Sequence, residues 1–239
     1  MTKNNSPLIV ALDFDNSADA LALADKLAGQ PIWFKVGLEM MMSGGIDLAK
    51  QLTEKGYNVF LDGKFMDIPN TVAGAVRGVT KMGVKMLNVH ASGGTRMMEA
   101  AKEASVTEAK KRNIKPPILI AVTVLTSIAE EELNEIGLFR QSIHEQTLRL
   151  AKLAKNAGLD GVVASPHEVR DIKEVCGKDF IVVTPGIRLD SSMIDDQRRI
   201  ATPKSAVSEG ADYIVVGRPI TRAENPMSIC NKILSEILL

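Results

Sequence analysis

Short apolar runs and amphipathic segments alternate along the whole chain. Residues 8–12, 32–36, 59–62, 86–90, 118–124, 161–164, 180–184 and 213–216 are apolar with little alternation. Such runs predict strands buried on both faces. Between them the apolar spacing changes to that of a helix. Ser17 is placed to cap the first, with Ala20, Leu21, Ala24 and Leu27 on one face. Helices are predicted over 46–55, 71–82, 95–111, 143–156, 166–175 and 203–210, with a short acidic one over 128–139 and a last one from Pro226. Gly56, Gly83, Gly158 and Gly210 stand where four of them stop. Strands alternating with helices argue a parallel sheet. Eight such units without a linker or composition break predict a single α/β domain over residues 1–239, a closed (β/α)8 barrel of the TIM type. A doubly wound open sheet is the alternative, but it usually carries a GxGxxG turn after the first strand, where this chain reads ALDFDNS.

Composition adds mainly exclusions. Apolar residues make up 45% of the 239, enough for a sizeable core. Lys plus Arg equals Asp plus Glu at 29 each, so nothing in the charge balance suggests nucleic acid or an acidic membrane surface. An anion site must therefore come from local arrangement. Cys176 and Cys230 form no CxxC pair, and the start, MTKNNSPLIV, lacks the apolar run of a signal peptide. No stretch has membrane-spanning length. A cytoplasmic protein is expected.

In a (β/α)8 barrel the active site lies at the C-terminal ends of the strands. The residues predicted there are Asp13, Lys35, Asp62, Lys64, His90, Thr126, Ser127, Ser165, Pro185, Arg188, Gly217 and Arg218. The densest stretch is VFLDGKFMDIPNTV, residues 59–72, which delivers Asp62, Lys64 and Asp67 within six positions. Two flanking carboxylates favour a charged ammonium, which suits a proton donor and disfavours a Schiff-base nucleophile. A surface ion cluster is the plain alternative. Asp62 and Asp67 as Mg2+ ligands are disfavoured, because Lys64 and Lys35 repel a cation and compete for the carboxylates.

Gly217 and Arg218 follow the eighth strand, where barrels of this kind commonly hold a phosphate. The long polar segment 187–201 carries Arg188, Gln197, Arg198 and Arg199 and reads as a lid over a bound anion or as a surface loop. Thr126 and Ser127 are equally suited to bonding a ring edge or to a local turn. His90 reads as a structural histidine, His144 and His167 as surface residues, and Met40–Met42 as packing or a subunit contact.

With these residues assembled, the chain resembles the orotidine 5′-phosphate decarboxylase family of the bacterial type over its full length. FLDGKFMDIPNTV, TPGIR, DDQRR and VVGRPI match in order, and ALD and FKVG stand where the family has its first aspartate and first lysine. The resemblance implies decarboxylation of orotidine 5′-monophosphate (OMP) to uridine 5′-monophosphate (UMP), the last step of de novo UMP synthesis, with no cofactor and no metal. It implies a charged network of Lys35, Asp62, Lys64 and Asp67. In it Lys64 protonates C6, Asp62 holds Lys64, and Lys35 links Asp62 to the ribose. Asp67 approaches the departing carboxylate from the partner subunit of a homodimer. Asp13 and the partner's Thr71 would bind ribose, Ser127 and Thr126 the pyrimidine edge, and Gln197, Gly217 and Arg218 the phosphate. Arg188 would support the lid, and Ile68 and Pro185 would face the base.

Two other readings remain. One is a Mg2+-dependent sugar-phosphate decarboxylase or synthase of the same barrel superfamily, expected to carry a carboxylate on the second strand where this chain has Lys35. The other is a non-catalytic nucleotide-binding protein, which would need the phosphate grip but not the charged network.

Overall fold

The computed structural model describes residues 6–135, 142–189 and 199–238. Eight parallel strands close on themselves in sequence order: β1 (Leu8–Ala11), β2 (Trp33–Val36), β3 (Asn58–Phe65), β4 (Met86–His90), β5 (Ile118–Val122), β6 (Gly161–Val163), β7 (Ile181–Thr184) and β8 (Tyr213–Val216). Closure is made by β1, which pairs with β2 on one side and β8 on the other. The predicted (β/α)8 barrel is the fold.

The strands read as uninterrupted apolar runs because both faces are covered. Leu8, Val10, Phe34, Leu61 and Val89 face outward into the layer packed by the helices. Ile9, Trp33, Phe60, Met86, Ile120 and Val183 face inward and form a separate core inside the barrel. Burying a side chain of this size is worth about 1.5–3 kcal/mol. Trp33 and Tyr213, the first residues of β2 and β8, meet edge to face at 5.3 Å near the N-terminal end. Gly161 opens β6 because a Cβ there would lie 2.1 Å from the Ile181 carbonyl oxygen.

At that same end, aspartates tie helices to strands. Asp160 accepts from the Leu119 amide at 2.8 Å and from Lys102 Nζ at 2.6 Å. Asp212 accepts from the Val182 amide at 2.7 Å and from Lys173 Nζ at 2.6 Å. Lys173 also donates to the carbonyls of Lys178 and Phe180, both at 2.9 Å.

Several local expectations differ from the structure. Asn16, not Ser17, caps the helix Ser17–Lys26 through the Asp19 amide, while Ser17 Oγ donates to the Ser43 carbonyl at 2.9 Å. The helix predicted over 71–82 spans Pro69–Lys81, with Ile68 as its cap and no side-chain capping bond. A short helix, Leu38–Met42, follows β2, and another, Arg218–Thr221, follows β8. The acidic helix spans Glu130–Glu135, and the remainder predicted to 139 lies outside the described residues. β3 runs on to Phe65 through a register slip in which Leu61 pairs with Leu87 but Phe65 with Val89.

Candidate active site

The two-residue period that makes the inner core also makes the site. One step beyond Trp33 on the inward row stands Lys35; beyond Phe60, Asp62; beyond Met86, Asn88 and then His90. The barrel interior therefore changes from apolar to charged within one layer. Above this layer opens a cavity of about 490 Å3 at the C-terminal ends of the strands.

Its floor carries a chain of alternating charge. Asp13 Oδ1 lies 3.1 Å from Lys35 Nζ, Lys35 Nζ 3.4 Å from Asp62 Oδ2, and Asp62 Oδ1 2.7 Å from Lys64 Nζ. Lys35 and Asp62 are buried, and Lys64 is partly open to the cavity. Burial alone would push the Asp62 carboxyl up, but Lys35 and Lys64 together hold it below the ordinary carboxylate range, helped by bonds from Lys64 and Asn88. Burial would likewise lower the Lys35 ammonium, yet Asp62 and Asp13 raise it above the usual lysine value. Both residues thus stay ionised where an isolated buried charge would neutralise. Both Asp62 oxygens are engaged by lysines and an amide, a donor set unlike an oxygen cage for Mg2+. Among the described residues there is no cluster of three or more His, Cys, Asp or Glu side chains able to hold a metal.

Gly37 is part of this packing. A Cβ there would come within 2.6 Å of Lys35 Nζ and 3.3 Å of Asp13 Oδ1. Lys64 sits at the slip in β3 with φ +48°, a left-handed backbone rare outside glycine and worth about 1–2 kcal/mol of strain.

Of the predicted residues, Asp13, Lys35, Asp62, Lys64, Thr126, Ser127, Pro185, Arg188, Gly217 and Arg218 line the cavity. Arg188 is buried, and its amide donates to the Ala201 carbonyl at 2.9 Å, drawing the two ends of the 187–201 segment together beside an Ile187–Ala201 bridge. Arg199 does not line the cavity; it pairs with Glu168 and donates to the carbonyl of Leu125, which does. Gln197 and Arg198 lie outside the described residues. Asp67, Ile68 and Thr71 are exposed and do not line the cavity of their own chain. Ser165 does not line it either; it is buried and caps the turn Pro166–Glu168 through the His167 amide. His90 is half-buried beside the site, its imidazole pushed toward neutrality by burial and then by Lys64. His144 and His167 are at the surface. The residue that sequence reasoning missed is Asn88, buried on β4 and bonded to both Asp62 and Lys64.

Comparison with known proteins agrees with this fold. Residues 6–233 match the model of the orotidine 5′-phosphate decarboxylase / HUMPS family. An orotidine 5′-phosphate decarboxylase of Legionella pneumophila (strain Paris) is 51% identical over 230 residues, covering 96% of this chain and 98% of that protein. The crystal structure of orotidine 5′-phosphate decarboxylase from Lactobacillus acidophilus superposes with a TM-score of 0.87 at 41% identity, covering 98% of this chain and 99% of the other. That of Pyrococcus horikoshii OT3 does so with a TM-score of 0.77 at 26% identity, over 97% and 99%.

Proposed function

The chain belongs to the orotidine 5′-phosphate decarboxylase / HUMPS family, and from that premise we propose that it decarboxylates OMP to UMP and CO2, as a carboxy-lyase of pyrimidine biosynthesis. The observation that carries this reading is the Lys35–Asp62–Lys64 chain at the floor of the cavity, with contacts of 3.4 and 2.7 Å.

Loss of CO2 from C6 leaves an electron pair on a carbon with little resonance relief. A fixed ammonium beside that carbon stabilises the developing charge, because its position is set before the reaction begins. Lys64 has that role: its proton goes to C6 as the C–C bond breaks, and the amine left behind is reprotonated from solvent. Asp62 holds Lys64, and Lys35 holds Asp62 while reaching Asp13, which together suit the ribose hydroxyls. Arg218 at the β8 end, beside Gly217, offers a planar pair of donors to the phosphate. Gln197 would join it and Arg188 would support the segment above. Thr126 and Ser127 face the pyrimidine edge, and Pro185 its apolar face. Phosphate and ribose lie far from the breaking bond, so their binding energy is available to assemble the site and raise the rate.

Asp67 and Thr71 complete the pocket of a partner subunit in a homodimer, and Ile68, exposed between them, accompanies them as apolar surface for the base. Supporting this, all three are exposed, Asp67 and Ile68 just before the helix that starts at Pro69 and Thr71 in its first turn, and Met66 and Ile68 present 56% and 68% of their surface. The whole chain acts as one catalytic domain. Buried, unpaired Cys176 and Cys230 fit a reducing cytoplasm. Among the described residues no helix is long and apolar enough to cross a membrane.

The direct test is the fall in ultraviolet absorbance when purified protein, treated with EDTA, meets OMP. Full activity in chelator is expected. No turnover of OMP would refute the reading, and a strict Mg2+ requirement would move the chain to the sugar-phosphate members of the barrel superfamily. For the dimer, inactive Lys64→Ala and Asp67→Ala proteins are mixed and allowed to exchange subunits. Roughly a quarter of wild-type activity should return, because each mixed dimer contains one intact composite site. Demonstrated exchange without recovery would place both residues in one chain's site.

A further inference from the structure

One polar side chain inside the barrel has no part in the chemistry above, yet every hydrogen bond it makes is to that chemistry. Asn88 lies on the inward row of β4, fully buried, one step beyond the apolar Met86. Its Nδ2 donates to Asp62 Oδ1 at 2.7 Å. Its Oδ1 accepts from the backbone amide of Lys64 at 2.7 Å. Asp62 Oδ1 is also the atom that receives Lys64 Nζ, at 2.7 Å. The result is a closed ring of contacts running from the Lys64 backbone through Asn88 and Asp62 to the Lys64 ammonium.

Two further observations say why such a ring is needed. Lys64 stands at φ +48°, one of only two described non-glycine residues with positive φ. It also stands where β3 slips against β4, between the pairs Leu61–Leu87 and Phe65–Val89, so the strand ladder does not fix its backbone. A strained conformation persists only when its surroundings over-determine it. The Asn88 side chain supplies the acceptor that the slipped ladder does not.

We propose that Asn88 is a positioning residue. It pins the Lys64 backbone in its left-handed conformation and turns Asp62 so that the ammonium is aimed at the reacting carbon. The inference rests on the reading of Lys64 as the proton donor. An amide is the side chain that serves both ends, donating to a carboxylate and accepting from a backbone N–H. Leucine would fill the space and do neither. Serine would keep a hydroxyl but is too short to span both partners.

The test uses full-length Asn88→Leu and Asn88→Ser, with Lys64→Ala as the control. Four quantities are read: kcat, UMP affinity, thermal midpoint, and the exchange of the UMP C6 hydrogen in D2O, which reports proton transfer at that carbon. Both Asn88 variants should lose about 100-fold in kcat and in C6 exchange, the scale expected of an ångström's displacement at a reacting group. UMP affinity should hold, because the phosphate and ribose contacts lie elsewhere. The smaller Asn88→Ser keeps the test open if the leucine variant does not fold. Wild-type kcat and exchange in folded Asn88→Ser would overturn the inference. So would losses of UMP affinity and thermal midpoint in step with kcat, which would mark a merely structural residue. If Lys64→Ala is inactive while the Asn88 variants are fully active, this inference alone fails. If Lys64→Ala itself turns over normally, the reading of Lys64 fails and takes the inference with it.

Discussion

Both ends of the barrel pair aspartate with lysine, and the two sets of pairs do different things. At the N-terminal end, Asp160 and Asp212 each accept one lysine and one strand amide, from Leu119 and Val182. Those carboxylates are consumed in fastening the scaffold. At the C-terminal end, Asp62 accepts two lysines and an asparagine side-chain amide and, among the described residues, anchors no strand amide. Its charge is spent on holding Lys35 and Lys64 at a cavity. The contrast teaches that an ion pair's spacing says little about its role. What distinguishes the ends is whether the pair bonds to backbone or faces an open space above a packed floor.

The sharpest way to break the comparison is to remove one lysine partner at one end and one aspartate at the other. Lys64→Ala should lower turnover by about a thousandfold or more, the combined scale of losing a general acid and a fixed charge. Its thermal midpoint should barely move, because the side chain is partly open to the cavity. Asp212→Ala should do the reverse. It leaves the Val182 amide and Lys173 short of an acceptor, at about 1–3 kcal/mol. For a chain of this size that lowers the midpoint by about 2–4 °C per kcal/mol. Turnover of the folded Asp212→Ala protein should match wild type. Equal losses of turnover in the two variants would erase the distinction.

A smaller effect separates two glycines. Gly37→Ala places its new carbon 2.6 Å from Lys35 Nζ, the far end of a flexible side chain. The chain can move, so the fold should survive while turnover drops roughly tenfold to 100-fold. Gly161→Ala places its carbon 2.1 Å from a backbone oxygen of β7, which has no rotamer to change. Stability should fall by about 1–3 kcal/mol or more, with the catalytic residues untouched. Urea melts and initial rates on both proteins decide it. Normal turnover in folded Gly37→Ala would mean that the lysine tolerates displacement.

Much of this was legible before the fold was known, and the reason is the barrel's symmetry of burial. Strands covered on both faces leave continuous apolar runs, so all eight were readable, and the fold then assigned Lys35, Asp62 and Lys64 to one mouth. The misses have equally physical causes. Asn88 in MLNVH looks like an interruption of an apolar run, although its period with Met86 and His90 puts it on the inward row. The slip in β3 was invisible because lysine gives no sign of a left-handed backbone. Asn16 and Ser17 are both good caps, and only tertiary contact with Ser43 decides between them. Asp67 and Thr71 were assigned to a partner's pocket by resemblance alone, and their exposure is the feature that agrees with it.

The finest test of the comparison is the pH dependence of stability at the cavity end. Asp62 is held below the ordinary carboxylate range in the folded chain despite its burial, by Lys35 and Lys64. Its contribution is therefore complete above the unfolded value of about 3.9 and is lost as pH falls through the lower folded value. Lys35 is raised by Asp62 and Asp13 despite its burial. Its contribution is complete below the unfolded value of about 10.4 and is lost as pH rises through the higher folded value. The cluster should thus be at full strength between those limits and weaken outside both. Asp62→Asn keeps the side chain's shape and removes the charge. Its unfolding free energy in urea should lie below wild type near neutrality, and the gap should narrow as pH falls below about 4, where the carboxyl of the unfolded wild-type chain takes up a proton that the folded one accepts only at lower pH. Lys35→Met should show the mirror image, with a gap that narrows at the alkaline end. A gap of constant size from neutral to acid pH would mean that Asp62 contributes packing rather than charge. The cavity end would then be held together in the same way as the apolar core beneath it.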